Sequence, residues 1–252
     1  VESGQVRTLH FAVEWVDQHP VTWLEGAFPA SYEVEGWKLT LTETRLAAAP
    51  AARMIEDEAR SAVMPLLDAW SAELEVDQRL VVMLYYLGAD VEPDTTGARG
   101  TVASADFATA SATAFDATIV IERDAPPQPD WSWRDTDVTK AARTMCLRPL
   151  RSGTRPIADA AYWLSTHLKK WAADGDQTAA ERLNVSSGYF NKVSQLGARS
   201  DERKVSTASL ALSAEDKESL RSAVEVLIRR LHLAESGLRP GQHLDLSDWP
   251  AS

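Results

Sequence analysis

The chain has 252 residues, 44% of them hydrophobic and 25% charged, with a formal charge of −11. That length suits one domain or two small ones with real cores, and the balance excludes a disordered or low-complexity chain. Its single cysteine, Cys146, excludes an intramolecular disulfide framework and cannot alone supply a zinc cluster.

The charge is unevenly divided. Residues 1–133 carry 8 basic against 22 acidic side chains, a net −14, whereas residues 134–235 carry 17 against 13, a net +4. A polyanion is repelled by the first part and tolerated by the second, so any nucleic-acid contact is expected within 134–235. No basic, apolar leader opens the sequence, and no apolar run approaches the ~20 residues that span a bilayer. The expectation is a cytoplasmic protein with no membrane contact; the sequence does not set the oligomeric state.

In chain order, Val6 to Trp15 alternates Leu9, Phe11, Val13 and Trp15 with His10, Ala12 and Glu14, the period of a half-buried strand. Val21 to Leu24 reads as a short edge strand before a turn at Gly26 and Pro29. Ser31 to Thr42 alternates again, but Tyr32 and Val34 are out of step with Trp37, Leu39 and Leu41, which predicts a bulge near Gly36. Met54 to Ala72 has the 3.6-residue period, with Val63, Leu66, Leu67 and Trp70 on its apolar side and Pro65 predicting a kink or break. Glu56, Asp57 and Glu58 suit a helix N-terminus, not a paired catalytic centre, because adjacent helical acids point apart.

Leu74 and Val76 alternate with glutamates, and Leu80 to Leu87 is apolar enough for a sheet centre, so both read as strand. Thr113 to Arg123 is a further expected strand. The order predicts a mainly antiparallel sheet with one covering helix. Neither GxGxxG nor GxxxxGK[ST] occurs, which speaks against a nucleotide-binding domain, and no cofactor is expected.

Asp124 to Trp133, with three prolines and two tryptophans, reads as a linker. A short helix is expected over Thr139 to Leu147, ending before Pro149, followed by a basic loop bearing Arg148, Arg151 and Arg155. Ile157 to Ala173 is a helix with Ile157, Ala160, Ala161, Leu164 and Leu168 on one face; its His167 has no ligand partner at helical spacing, so no metal site is expected. Thr178 and Glu181 form a capping-box signature for a helix through Leu183, and Ser186 or Ser187 caps a second one over Gly188 to Leu196. Ser213 caps a last helix reaching His232, and the turn-rich tail beyond Gly237 is anchored by Leu244, Leu246 and Trp249.

The overall expectation is an α+β chain: an N-terminal mainly antiparallel sheet with one covering helix over 1–123, a linker over 124–133, an all-helical domain over 134–235 and a tail over 236–252. Within the helical domain, Ala179, Ala180, Leu183, Val185 and Ser186 resemble the helix-turn-helix pattern, in which an Ala-rich helix and an apolar residue after the turn precede a serine-capped recognition helix. Asn184 stands where glycine is common in that pattern. The resemblance implies DNA contact in the major groove through Ser187, Tyr189, Asn191, Lys192 and Gln195, with Arg199, Arg203 and Lys204 adding salt-dependent affinity. The same pattern also serves plain helical packing and protein docking.

The function expected first is therefore a non-enzymatic binding or regulatory protein, whose front domain docks a protein partner and whose helical domain contacts nucleic acid. One alternative is a nuclease-like hydrolase using His232 with Arg229 and Arg230. Those arginines lie closer to the histidine than the motif of helical HEPN-type ribonucleases requires. The other alternative is a structural subunit of a protein assembly.

Overall fold

A computed structural model of the chain describes residues 4–16, 21–92, 121–130, 132–173, 176–198 and 212–250. It has an α+β fold and divides into two compact units, Val1–Trp131 and Ser132–Ser252.

The first unit is built on a five-stranded antiparallel sheet of strand order β3-β4-β5-β1-β6, from β1 (Gln5–Val16), β3 (Ala30–Val34), β4 (Trp37–Leu41), β5 (Arg45–Pro50) and β6 (Val81–Glu92). The phase change within Ser31–Thr42 is a hairpin, not a bulge. Glu35 and Gly36 both take positive φ, +38° and +84°, and Val34 pairs with Trp37 across this two-residue turn. Such a turn matches strand twist and leaves Tyr32, Val34, Trp37, Leu39 and Leu41 on one buried face. Bulges lie instead in the β1–β6 pair. The register skips between His10–Gly88 and Phe11–Tyr86, leaving Leu87 unpaired and pointing outward.

Helix α1 (Glu56–Asp77) covers the sheet with Ala59, Val63, Leu66, Leu67, Trp70 and Leu74, all buried. It runs through Pro65 without a break. Pro65 is on the exposed side, where water can satisfy the carbonyl that the missing amide frees. Leu74 and Val76, read as strand in the sequence, are the last turns of this helix: Leu74 continues the stripe four residues after Trp70. The four-residue alternation was too short to separate the two periods. Of the expected Thr113–Arg123 strand, β7 (Ile121–Arg123) pairs in parallel with β2 (Val21–Trp23), and the rest lies outside the described residues. The proline-rich segment after β7 docks on the first unit: Trp70 Nε1 donates to Pro127 O at 3.0 Å, Tyr32 Oη to Pro126 O, and the Asp130 amide to Glu73 Oε2 at 3.1 Å.

The second unit is helical. A continuous helical run comprises α2 (Asp137–Ala142), a five-residue π turn (Arg143–Leu147) and α3 (Arg148–Arg151), so the predicted stop before Pro149 does not occur. Pro149 cannot donate to Met145 O, and the Arg155 guanidinium takes that carbonyl. Helices α4 (Ile157–Ala172), α5 (Asp176–Arg182), α6 (Ser187–Gly197) and α7 (Ala214–Glu235) complete the unit, with α7 packed on α2 and α4. Helix α5 begins at Asp176, two residues before the expected Thr178 cap. Asp176 occupies the first turn, where its charge is favoured, and pairs with Lys169 at 2.9 Å. No helix of the described residues is long and apolar enough to cross a membrane.

Candidate nucleic-acid interface

The arrangement of α4, α5 and α6 follows from where the apolar residues fall. Ala179, Ala180, Leu183, Val185, Phe190, Val193 and Leu196 are each at most 6% exposed, so every apolar position of the helix-turn-helix pattern is in the core. The turn depends on Asn184, whose φ is +54°. This left-handed conformation favours glycine, and asparagine is among the few other residues that adopt it readily. Ser186 then caps α6 by accepting from the Tyr189 amide at 3.2 Å. At its other end α6 crosses α4 closely: a methyl on Gly197 would lie 2.6 Å from Tyr162 N.

These constraints fix which side of α6 faces solvent. Ser187 and Gln195 are exposed and Asn191 is half-buried, forming one uncharged polar stripe along the helix. Tyr189, expected at the rim, is fully buried. Lying on the side that holds Phe190 and Val193, its ring meets Trp249 at 5.2 Å, and burial pushes its phenol up to about 12. Lys192 is half-buried with its ammonium over the Trp249 ring at 4.1 Å. Arg199, Arg203 and Lys204 lie outside the described residues.

The tail residues Leu244, Leu246 and Trp249, expected to anchor the tail onto the body, meet the turn and α6. Leu244 bridges Val185 in parallel; the Ser186 amide donates to Leu244 O at 2.7 Å, and Leu244 N to Asn184 O at 3.2 Å. Asn184 Nδ2 donates to Gly241 O at 2.7 Å. The Arg230 guanidinium, beneath the turn, donates to Leu183 O, Asn184 O and Gln242 O at 3.0, 2.8 and 2.6 Å. Sequence reasoning missed Asn184 and Arg230 as the hub joining turn and tail. The only signal was asparagine at a glycine-like position.

Arg230 is thus a backbone clamp rather than part of a hydrolytic site. His232 is fully buried against Trp133, with ring centroids 5.2 Å apart, and neither ring nitrogen has a hydrogen-bond partner among the described residues. Burial and then the nearby Arg143 charge push its pKa down to about 3. A sealed imidazole of such low basicity does not reach a substrate, and Arg229 is on the exposed side while Arg230 is buried. The nuclease constellation His232, Arg229 and Arg230 is therefore corrected: the three side chains do not converge on an open site. Cys146 is buried, donates to Ala160 O at 3.3 Å, and is pushed up to about 12 by burial, which leaves it inert. Among the described residues no group of three or more His, Cys, Asp or Glu is placed to hold a metal.

Comparison with family models, curated proteins and solved structures gave no match to this chain. The site is accordingly read from its own geometry. A shallow groove of about 240 Å³ on α4, with Tyr162, Trp163 and His167 between Arg155 and Lys170, shares no residue with either predicted set.

Proposed function

We propose that this chain is a non-enzymatic binding protein of the cytoplasm whose helical unit reads duplex DNA through α6. The observation that carries the reading is the left-handed turn at Asn184 with the whole apolar pattern buried around it, which leaves exposed Ser187 and Gln195 and half-buried Asn191 as a polar stripe on the open side of α6. Asn and Gln amides suit paired donor and acceptor contacts to adenine in the major groove, and a serine at the helix start suits a phosphate. Affinity comes from cations around the helix, Lys192 among the described residues and Arg199, Arg203 and Lys204 by their place in the sequence. The lone buried thiol of Cys146 suits a reducing compartment.

In the same reading the first unit docks a protein partner. Met83, Tyr85 and Leu87 are exposed along β6, an end strand of the described sheet, and form its apolar offering. The test is fluorescence anisotropy of the full chain with a labelled duplex at several salt concentrations. Salt-dependent binding that drops at least roughly ten-fold in the Asn191→Ala/Gln195→Ala variant supports the reading, each good amide contact being worth about 1–3 kcal/mol. Absence of salt-dependent binding, or equal binding by the variant, refutes it.

A further inference from the structure

The tail beyond α7 packs on the helical pair. Between Gly241 and Trp249 it runs across the turn and then along one flank of α6, the flank made by Gly188, Tyr189 and Lys192. A methyl built on Gly188 would sit 2.9 Å from Leu246 Cδ1 and 3.2 Å from Leu246 Cγ, so Leu246 occupies the space a side chain would take. Trp249 holds the Lys192 ammonium on its ring face, and Asp248 acts electrostatically on both Tyr189 and Arg230. A short 3₁₀ turn, Leu246–Asp248, shapes this end: Asp245 N donates to Asp248 Oδ2 at 2.8 Å.

The two ends of the tail are held differently. Its start has the Arg230 clamp and the Asn184 bonds to backbone. Its far end meets α6 through side chains, Leu246 at Gly188 and Trp249 at Tyr189 and Lys192, with Leu246 still 50% exposed and Asp245, Ser247 and Asp248 in solvent. A segment with few buried apolar contacts opens at low free energy. Its contents are also wrong for a helix that meets a polyanion: an indole covers the lysine that would face a phosphate, and the same short segment carries two exposed aspartates, Asp245 and Asp248.

We propose that residues 245–249 are a releasable strap that masks one flank of α6 and competes with DNA for it. This rests on the reading of α6 as the DNA-contacting helix. In the closed state Trp249 sequesters Lys192 and Leu246 fills the side of Gly188; on release the lysine turns to the phosphate backbone and the acids leave. The strap lowers apparent affinity by the fraction of molecules held closed, so a closed-to-open ratio near ten gives a roughly ten-fold gain on release.

Two variants of the full chain open the strap from opposite sides. Gly188→Leu puts a branched side chain into the space of Leu246, more than the small rotation that would relieve a single methyl at 2.9 Å, and Leu246→Ser/Trp249→Ala removes the docking side chains from the tail. Hydrogen exchange of residues 242–250 reads strap opening, and anisotropy with a labelled 30-base-pair duplex at low salt reads binding. Faster exchange in the tail with roughly ten-fold tighter binding in both variants is expected. Faster exchange with equal or weaker binding overturns the mask while leaving α6 as the contact helix. Absence of salt-dependent binding by wild type and both variants overturns the DNA reading, and the mask with it.

Discussion

Lowering the pH from 7 to 5 should weaken the second unit selectively, through one side chain. His232 is fully buried, packs on Trp133, and has a native pKa pushed down to about 3 by burial and Arg143. In the unfolded chain the imidazole titrates at its ordinary value of about 6.5. The folded form therefore favours the neutral ring, so its penalty is absent above pH 6.5 and grows as pH falls toward the native pKa. At pH 5 the unfolded imidazole is almost wholly protonated and the folded one almost wholly neutral, which costs about 2 kcal/mol of stability relative to pH 7. Native-state hydrogen exchange of the amides between Leu227 and Leu231, corrected for intrinsic pH dependence, reports that opening free energy directly. His232→Phe keeps an aromatic ring against Trp133 and removes the titration. The difference between wild type and variant should then change by about 2 kcal/mol between pH 7 and pH 5. Equal pH responses of the two proteins would refute the assignment of a sealed, neutral His232.

The first unit should respond in the opposite direction. Burial raises the Glu73 carboxyl to about 7, opposed by the bond from the Asp130 amide and raised further by Asp130 and Asp77. The charged form is disfavoured in the fold, so stability is lost as pH rises from 4.5 through 7 and recovered on acidification. Amides of α1 should exchange more slowly at pH 5 than at pH 7 after intrinsic correction, and Glu73→Gln should abolish the difference. Gly197→Ala should destabilise the second unit by about 1–3 kcal/mol, since the new methyl would meet α4 backbone at Tyr162 N and Ala161 C, which a side-chain shift cannot relieve. Urea unfolding followed by exchange of α6 amides would show it; an unchanged midpoint would mean the α4–α6 crossing is looser than described.

Much of this fold was legible because its apolar periods are long. Leu9, Phe11 and Val13 announce β1, and Leu220, Val224, Leu227 and Leu231 announce α7, each over enough residues for one period to dominate. Errors occurred where a few residues had to decide. Leu74 and Val76 fit either period, and only the stripe from Val63 through Trp70 makes them helical. The parity change at Gly36 has two explanations, a bulge or a tight hairpin, and alternation alone does not separate them. Pro65 predicts a kink or break and Pro149 a stop, yet the helix continues through both: Pro65 lies on a solvated face, and the carbonyl orphaned by Pro149 is taken by Arg155, a partner distant enough in sequence to be invisible.

The candidate site was legible in outline for the same reason. The buried positions around the Asn184 turn follow from sequence spacing, and so does the polar stripe opposite them. Tyr189 was misplaced because its hydroxyl suggested a rim position, whereas its ring fills space between α6 and Trp249. The clamp by Arg230 had no sequence signature, because its acceptors are backbone carbonyls. His232 looked catalytic beside two arginines for want of depth: burial, which decides its basicity, is not written in sequence proximity.

The most direct test of the central claim, that α6 presents its polar stripe to DNA, is hydrogen exchange of the full chain with and without a duplex at low salt. The account predicts slowed exchange concentrated between Ser187 and Ala198, reversed by added salt. Slowing confined to other segments, with Ser187 to Ala198 unaffected at saturating duplex, would contradict it.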